Sequence, residues 1–315
     1  MIIVTGGAGF IGSNLVKGLN EKGCDNILIV DDLTDGRKFK NLVDCSFKDY
    51  IDKNDFLLKL QENPHHFGKI STIFHQGACS ATTEWNGQFM MKNNYEYSKI
   101  LLERACLSHI PFIYASSAAV YGKTLIFREE SQFEQPLNVY GFSKLMFDNY
   151  VRKLGTKFSQ IVGLRYFNVY GPREEHKDAM ASVAYHNYIQ LQQLGYVKLF
   201  DGYGEYGPGE QRRDFVFVDD VVKVNLWFMQ NPQLSGIFNV GTGQSHTFKE
   251  LSESVIKGSA TAKIEYIPFP DHLKRCYQSF TQADISLLRK TGYQEDFLTV
   301  PKGVERYLQW LRENI

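Results

Sequence analysis

Short apolar runs alternate with amphipathic segments through the first half of the chain. Runs rich in Ile, Val and Phe predict five strands, at residues 2–6, 26–32, 71–78, 111–117 and 160–171. Amphipathic stretches predict helices between them, at residues 9–23, 55–62, 87–108 and 140–154. Strands that are apolar throughout, each followed by a helix, are typical of a parallel sheet covered on both faces. We therefore predict a Rossmann-type, doubly wound parallel α/β sheet.

The alternation breaks after Pro172, where a polar and then helical stretch leads into a glycine-rich loop at residues 201–211. A strand and a helix then follow and are expected to return to the sheet. We predict a dinucleotide-binding domain formed by residues 1–167 and 211–241, and a smaller mixed α/β substrate-binding domain formed by residues 168–210 and 242–315. A cleft between the two is expected at the C-terminal ends of the strands, where open α/β sheets bind ligands.

The composition argues against several kinds of partner. The 315 residues include 35 Lys and Arg and 35 Asp and Glu, so the formal net charge is zero, and neither nucleic acid nor a membrane surface is an expected partner. No apolar run approaches membrane-spanning length, and the strand that begins at residue 2 leaves no room for a signal peptide. Five scattered cysteines, never in a C-x-x-C pair, predict reduced thiols in a cytoplasmic protein and no metal site.

The segment VTGGAGFIG places glycines at positions 6, 9 and 12, directly after the first strand and at the start of the first helix. Gly6 permits a tight turn, Gly9 lets the backbone approach a pyrophosphate, and Gly12 lets helix and strand pack closely. The phosphates would lie at the N-terminus of the helix. This strand–turn–helix context predicts a nicotinamide dinucleotide site.

The end of the second strand carries the residues that would distinguish the two nicotinamide cofactors. Asp31 and Asp32 stand where a carboxylate binds the adenine ribose, and Asp31 by itself indicates NAD because its charge repels a 2′-phosphate. Arg37 and Lys38 follow within one loop, either as partners of that phosphate or as solvated cations. These residues leave the choice between NAD and NADP open.

The segment YGFSK, from Tyr140 to Lys144, carries the predicted reaction centre. Tyr and Lys four residues apart share one helix face, where the ammonium can favour the phenolate form of the tyrosine. Ser117, at the end of the fourth predicted strand, can hydrogen-bond the same substrate oxygen. Behind a dinucleotide loop, this set predicts hydride transfer to and from an alcohol.

Polar and small residues follow the third predicted strand. Gly77 and Ala78 are small where a ribose or a nicotinamide would press on the backbone, and His75 is interpreted as a structural hydrogen-bonding residue. Asn93 and Asn94 either satisfy backbone groups beside the cofactor or lie on a helix surface.

Two later segments add candidate charges. Asn168 and Lys177 follow the fifth predicted strand, and Lys177 is either a surface cation or a functional residue above the cleft. Arg212 and Arg213 could bind a diphosphate, because arginine binds phosphate through two hydrogen bonds. Alternatively one of them forms an ion pair with Asp214.

Segments along nearly the whole chain carry a resemblance to a known family: HQGACSATTEW, PLNVYGFSK, RYFNVYGPREEHK, EYIPFP and YQSFTQAD. The chain resembles the extended short-chain dehydrogenase/reductases and, within them, the ADP-L-glycero-D-manno-heptose 6-epimerase family. The resemblance implies tightly held NADP, an ADP-heptose substrate and a cytoplasmic role in making lipopolysaccharide-core precursors. It also implies a homo-oligomer, which is a homopentamer in the family.

The resemblance assigns roles position by position. It implies that Tyr140 and Lys177 are acid/base residues, with Ser117 and Lys144 beside Tyr140. The implied cofactor contacts are Phe10, Ile11, Asp31, Asp32, Lys38, Lys53, Gln76, Gly77, Ala78, Cys79, Ser80, Asn93, Lys144, Val169 and Lys177. The implied substrate contacts are Ser117, Asn168, Ala179, His186, Phe200, Asp201, Gly202, Tyr203, Arg213 and Tyr277. Ala179 stands where the family has a serine, and the loop at residues 203–211 looks longer than usual.

Alternatives remain at this stage. Related enzymes that eliminate water from a sugar carry an Asp-Glu pair where this chain has Ala118 and Ala119, so dehydration is disfavoured. One rival is a UDP-sugar 4-epimerase or a nucleotide-sugar reductase, against which Lys177 and the family segments argue. The other is an NADP-sensing protein without catalysis on the same fold, in which Ser117, Tyr140 and Lys144 would be unneeded.

Overall fold

The computed structural model describes residues 1–63, 65–155, 159–259, 261–271 and 277–315. In these ranges the strands are β1 (Ile2–Thr5), β2 (Ile27–Asp31), β3 (Asp49–Asp52), β4 (Thr72–His75), β5 (Phe112–Ser117), β6 (Ile161–Tyr166), β7 (Asn168–Tyr170), β8 (Val197–Phe200), β9 (Arg212–Arg213), β10 (Phe215–Phe217), β11 (Gly236–Val240), β12 (His246–Thr247) and β13 (Ile264–Ile267).

The helices of the same ranges connect these strands. They are α1 (Phe10–Glu21), α2 (Lys53–Glu62), α3 (Gly87–Met91), α4 (Tyr97–Leu107), α5 (Val139–Leu154), α6 (Val183–Leu194), α7 (Val218–Gln230), α8 (Phe248–Ile256), α9 (Ser286–Lys290) and α10 (Val300–Asn314). A π-helical turn (Lys92–Glu96) joins α3 to α4, and 3₁₀ helices lie at Gly36–Leu42, Ala118–Val120, Ser131–Phe133 and Glu175–Met180.

A seven-stranded sheet confirms the predicted Rossmann-type fold. Its order is β11-β6-β5-β4-β1-β2-β3, and every neighbouring pair is parallel. The chain order reverses between β1 and β4, and such a switch point opens a crevice at the C-terminal ends of the strands. All five predicted strands are present, and the predicted helix at residues 87–108 contains the π turn.

Both faces of the sheet are buried, as the apolar strands predicted. Ile3 packs with side chains of α2, α4 and α5 on one face, whereas Ile2 and Val4 pack with α1 and α7 on the other. Adjacent residues of a strand point to opposite faces, so an uninterrupted apolar run is the sequence that this double burial requires.

Two details of the strand prediction were wrong. The run at residues 160–171 is two strands, because the Phe167 N–H still donates to Val240 of β11 whereas the next N–H, that of Asn168, donates to the Asp214 carbonyl oxygen at 3.0 Å and begins pairing with β10. The strand predicted to return to the sheet, β10, instead pairs with β7, and β11 is the strand that joins the sheet beside β6. The edge strand β3 was not predicted, since its sequence DYID lacks an apolar run.

Helices and short strands outside the main sheet form a cluster of their own. Side chains from α6, α8 and α10 pack against β7 and β10, and β8 pairs with β13 in a small parallel sheet of its own. In the described ranges, no helix combines the length and the apolar character needed to cross a bilayer.

Candidate active site

A cavity of about 1060 Å³ opens at the C-terminal ends of the main-sheet strands and reaches β8, α6 and α8. Every residue predicted to be catalytic or to contact the cofactor lines it, including Gly6, Gly9 and Gly12. Of the ten predicted substrate contacts, six line it: Ser117, Asn168, His186, Phe200, Arg213 and Tyr277. The other four, Ala179, Asp201, Gly202 and Tyr203, lie outside its wall.

These four residues lie outside the wall for local reasons. Ala179, Asp201 and Gly202 are exposed. The Tyr203 ring stacks on Phe269, with ring centroids 4.6 Å apart, and the Tyr203 backbone pairs with Tyr206 across the tip of the loop. The glycine-rich loop therefore folds back on its own aromatic residues.

The glycine loop leaves a cradle that side chains would fill. Gly6 has φ +65°, and a Cβ atom there would lie 2.6 Å from the Gly77 Cα across the switch point. A Cβ atom at Gly12 would collide with the Gly6 carbonyl oxygen. No side chain caps the N-terminus of α1, where Gly9 and Phe10 line the cavity. A pyrophosphate fits this arrangement, because the first N–H groups of a helix attract anions.

Both carboxylate oxygens of Asp31 already have partners within the protein. Its Oδ2 accepts from the Ala8 N–H at 2.7 Å, and its Oδ1 pairs with the Lys38 Nζ at 3.0 Å. Lys38 lines the cavity, whereas Arg37 does not and instead pairs with Asp35 and Asp178. Neither cation is therefore the freely solvated group that the sequence allowed.

The second carboxylate, Asp32, is also held. The Thr34 hydroxyl and then Lys53, whose Nζ lies 2.9 Å from Asp32 Oδ2, hold the pKa of Asp32 well below its usual range. The Lys53 Nζ also lies 3.4 Å from the Asn93 Oδ1. Three predicted cofactor contacts thus form one charged wall of the cavity.

His75 has the structural role that the sequence suggested. Its Nδ1 lies 2.6 Å from the Thr5 Oγ1, and its Nε2 lies 2.7 Å from the Ser98 Oγ, which itself donates to the Asn94 carbonyl oxygen. The Ser98 hydroxyl hydrogen is thus committed, so a neutral ring protonated on Nε2 satisfies both contacts. Burial, and then the charge of Lys144, lowers the pKa of His75 to about 3.

Asn94 is buried in the π turn and satisfies backbone groups beside the cavity, which was one of the two interpretations of the sequence. Its Oδ1 accepts from the Cys79 N–H at 2.8 Å and its Nδ2 donates to the Cys79 carbonyl oxygen at 2.9 Å. The same Nδ2 lies 3.1 Å from the Ser143 Oγ of α5. One amide thus ties the strand end after β4 to the helix that carries Tyr140.

Tyr140 and Lys144 lie on α5, one helical turn apart, and Asn138 caps this helix by accepting from the Gly141 N–H at 2.8 Å. Burial raises the pKa of Tyr140, and a hydrogen bond from its neighbour Ser117 opposes the rise. Burial also lowers the pKa of Lys144 to about 8, while its Nζ donates to the Ala115 carbonyl oxygen at 2.8 Å. The three groups border the same part of the cavity.

Lys177 is a half-buried cation of the cavity wall. It lies in the 3₁₀ segment after β7, and its Nζ stands 5.1 Å from the centre of the Phe10 ring. Burial lowers the pKa of Lys177, and the charge of Glu174 opposes that shift. A surface cation was the alternative, and the fold places Lys177 against the glycine loop instead.

Arg213 is a buried cation that also lines the cavity. Its guanidinium lies over the rings of Tyr277, at 4.9 Å, and Phe248, at 5.5 Å, and it pairs with no carboxylate among the residues described. The alternative interpretation, an ion pair of Arg212 or Arg213 with Asp214, is not found in the described ranges. Asp214 is fully buried and accepts instead from the backbone N–H groups of Thr242, Gly243 and Ala283.

Sequence reasoning missed the network behind the reaction centre. Asp148, one turn after Lys144, accepts from the Tyr114 hydroxyl, the Ser116 hydroxyl and the Arg165 Nε, each at 2.9 Å. The steps of four residues from Tyr140 to Lys144 to Asp148 were the available signal, because residues at that spacing share a helix face.

The thiols and the acidic residues give no sign of a metal centre in the described ranges. Cys24, Cys45, Cys79 and Cys106 are free, and Cys276 lies outside those ranges. No three His, Cys, Asp or Glu side chains there are grouped so that they could hold a metal ion.

A glycine loop at the switch point and a Ser-Tyr-Lys set above it define an extended short-chain dehydrogenase/reductase, as the sequence resemblance implied. The chain belongs to the NAD dependent epimerase/dehydratase family, whose sequence profile matches residues 2–241. It is thus an enzyme of the nucleotide-sugar epimerase and dehydratase kind.

Solved structures of three epimerases are similar to this chain along its length. ADP-L-glycero-D-manno-heptose-6-epimerase from Helicobacter pylori is 35% identical, with 99% of this chain and 96% of that chain covered and a TM-score of 0.86. UDP-N-acetylglucosamine 4-epimerase from Methanobrevibacter ruminantium is 25% identical, with 100% and 98% covered and a TM-score of 0.85. UDP-glucose 4-epimerase from Thermus thermophilus, solved with NAD, is 25% identical, with 100% and 99% covered and a TM-score of 0.80.

Proposed function

We propose that the protein inverts C6 of ADP-D-glycero-D-manno-heptose to give the L-glycero epimer. The reaction would proceed through oxidation of the C6 alcohol to a ketone and reduction of the ketone from its other face. The observation that carries the proposal is the pair of proton-transferring groups, Tyr140 and Lys177, which come from separate elements and border one cavity. Similarity over nearly the whole chain to an enzyme of this name supports it.

The cofactor of this proposal is NADP, which would take the hydride from C6 and return it. The glycine cradle and the uncapped N-terminus of α1 would hold its pyrophosphate. Lys38 borders the cavity beside Asp31, and both oxygens of Asp31 already have protein partners. A 2′-phosphate is thus better matched here than a free ribose 2′-hydroxyl, which would need an unoccupied carboxylate.

Two bases answer a geometric need of this reaction. C6 lies outside the sugar ring, so rotation about the C5–C6 bond presents the other ketone face while the ring stays in place. The C6 oxygen then occupies a different part of the cavity, and one phenol cannot reach both positions. Tyr140 would serve the oxygen of one epimer and Lys177 that of the other, with Ser117 hydrogen-bonding beside Tyr140.

The rest of the chain would hold the substrate and the protons. The Lys144 ammonium would favour the phenolate of Tyr140, against the burial that opposes it. Arg213 would pair with the diphosphate, because a buried guanidinium with no carboxylate partner among the described residues needs an anion. Ala118 and Ala119, in the 3₁₀ helix after Ser117, supply no acid or base for elimination of water.

The proposal also includes a domain organisation, an oligomeric state and a cellular location. Residues 1–167 and 211–241 would form the cofactor domain, and residues 168–210 and 242–315 the substrate domain. The protein would act as a homo-oligomer in the cytoplasm, in the synthesis of lipopolysaccharide-core precursors. The family resemblance and the cavity between the sheet and the helical cluster support this description.

An activity assay with matched substrates tests the function. Purified protein should epimerise ADP-glycero-manno-heptose at C6, detected as interconversion of the two epimers, and should leave UDP-glucose and UDP-galactose unchanged. Interconversion of the UDP-hexoses instead would establish a ring 4-epimerase. Turnover of neither, with nucleotide still bound, would favour a cofactor-sensing protein. Denaturing the protein and identifying the released nucleotide would show which cofactor it carries.

A further inference from the structure

Lys177 lies between two residues whose backbone conformation is costly. Arg173 has φ +74° and Asp178 has φ +46°, and neither is a glycine. Asp178 is the more unusual, since its ψ of −123° also places it outside the left-handed helical region. Residues other than glycine keep such backbone conformations only where the surrounding structure enforces them. The segment of residues 172–180, which we call the strap, must therefore be held from outside.

Arg37 holds the strap at Lys177. Its Nη1 and Nη2 donate to the two carboxylate oxygens of Asp178, each at 2.7 Å, and its Nη2 lies 3.4 Å from the His176 carbonyl oxygen. Asp35 fixes the same guanidinium, because its Oδ1 accepts from the Arg37 Nε at 2.9 Å. The guanidinium thus contacts the residues immediately before and after Lys177.

Other side-chain contacts also hold the strap, and one of them connects it to the glycine loop. The Asn41 Nδ2 lies 3.2 Å from the His176 Nδ1 and donates to the Ala8 carbonyl oxygen at 2.9 Å. Arg173 pairs with Asp44 at 2.7 Å. Asn41 and Arg173 are buried, whereas the side chains of Arg37 and Asp178 are 52% and 66% exposed. The exposed pair can therefore be removed without opening the core.

We propose that Arg37 and Asp178 are positioning residues for Lys177, and that their ion pair keeps the Lys177 ammonium over Phe10 at the cavity wall. The catalytic consequence rests on the proposed function, in which Lys177 is a base. The structural part of the proposal, that the ion pair fixes the position of the strap, does not depend on the proposed function. Arg37 is then committed to the strap rather than to a cofactor phosphate.

Variants of this pair separate positioning from other roles. Arg37→Met should lower kcat for epimerisation about two- to fivefold, the range that exposed ion pairs give, with KM and NADP affinity nearly unchanged. Arg37→Lys should recover part of the loss. Asp178→Gly removes the strain as well as the charge, so the double variant Arg37→Met/Asp178→Gly should be more active than Arg37→Met alone. Arg306→Met removes a comparably exposed pair with Asp219, 3.8 Å long, and should have no effect.

A readout that needs no substrate keeps this proposal independent of the proposed function. In the protein purified with its cofactor, lysine-selective labelling followed by mass spectrometry should find Lys177 more reactive in Arg37→Met and restored in the double variant, with Lys144 as internal reference. Unchanged labelling in Arg37→Met would overturn the proposal. So would a loss of NADP affinity that NAD does not share, because Arg37 would then bind the 2′-phosphate. Expected labelling without turnover of ADP-heptose would sink the proposed function alone.

Discussion

Asn94 holds both backbone groups of Cys79, accepting from its N–H at 2.8 Å and donating to its carbonyl oxygen at 2.9 Å. Cys79 follows β4 at the switch point of the sheet, where regular strand pairing has ended. The π turn makes this contact, since it interrupts the α-helical spacing and brings a buried side chain to the cavity edge. The amide thus takes the place of a missing strand partner.

Asn94→Leu is expected to destabilise the fold, because it leaves two part-buried backbone groups of Cys79 without partners. The expected loss is about 2–4 kcal/mol of unfolding free energy, measured by urea denaturation of the cofactor-free protein. Asn149→Leu is a matched control on α5, where a half-buried amide contacts the side chain of Arg152, and should change the free energy by less than about 1 kcal/mol. Equal effects of the two substitutions would mean that the Cys79 contacts add no stability.

Lys38→Ala should weaken NADP binding by about 1–3 kcal/mol, the scale of a charge-assisted hydrogen bond. NAD binding should change little, since NAD has no 2′-phosphate for Lys38 to meet. Titration of the cofactor-free protein with each nucleotide measures the difference. Arg37→Met serves as the control, because its guanidinium faces Asp178 and is expected to leave both affinities unchanged. Equal losses for both nucleotides in Lys38→Ala would remove the phosphate role.

His75 should make the fold sensitive to acid. Its pKa is lowered to about 3 in the folded protein from an ordinary 6.5, so the unfolded chain binds a proton that the folded protein refuses. Stability from this source is complete above pH 6.5 and is lost as pH falls toward 3, at about 1.4 kcal/mol per unit.

His75→Gln keeps a donor and an acceptor and should flatten this dependence. Urea unfolding of the cofactor-free protein between about pH 4.5 and 6.5 measures the slope. The variant should be less stable than the parent at neutral pH but lose less on acidification. Parallel curves for the two proteins would mean that His75 is protonated in the folded state as readily as in the unfolded chain.

The sequence predicted the sheet and the cofactor wall because both depend on local patterns. The turn at position 6 has a positive φ, which favours glycine. An apolar run such as that at residues 111–117 is typical of a strand that a parallel sheet buries on both faces. Predicted cofactor contacts such as Gly9, Asp31 and Gln76 follow ends of neighbouring strands, so the parallel sheet brings them together. Others, such as Asn93 and Lys177, were implied by the family resemblance and not by a local pattern.

The rest of the site depends on contacts between distant residues, which spacing does not reveal. Asp178 meets Arg37 across 141 residues of sequence, and Asp214 meets Ala283 across 69. The adjacent residues Arg213 and Asp214 suggested a local ion pair as one alternative, yet the Arg213 guanidinium lies over the Tyr277 ring and the Asp214 carboxylate accepts from backbone N–H groups. Adjacency in the sequence therefore does not predict which side chains contact each other in this part of the site.

Tyr140→Phe should keep the fold and the bound cofactor, because one hydroxyl is removed from a ring that stays in place. Epimerisation should fall by a factor on the order of 10² or more, as for other positioned acid/base groups. Nucleotide content and thermal unfolding of the purified variant serve as controls. Near-normal turnover would remove the tyrosine from the chemistry.

Lys177→Met tests the second base, which is where an epimerase of a side-chain carbon differs from a ring epimerase. The thioether keeps the apolar contact with Phe10 but cannot carry a proton. If Lys177 serves one orientation of the C6 oxygen, kcat should fall by a factor on the order of 10² while the affinity for the ADP-sugar is kept. If Lys177 only neutralises the diphosphate, KM should rise and kcat should hold, the pattern of lost uniform binding. Lys40→Met, at an exposed pair with Glu175 on the same strap, supplies the matched control and should behave as the parent enzyme.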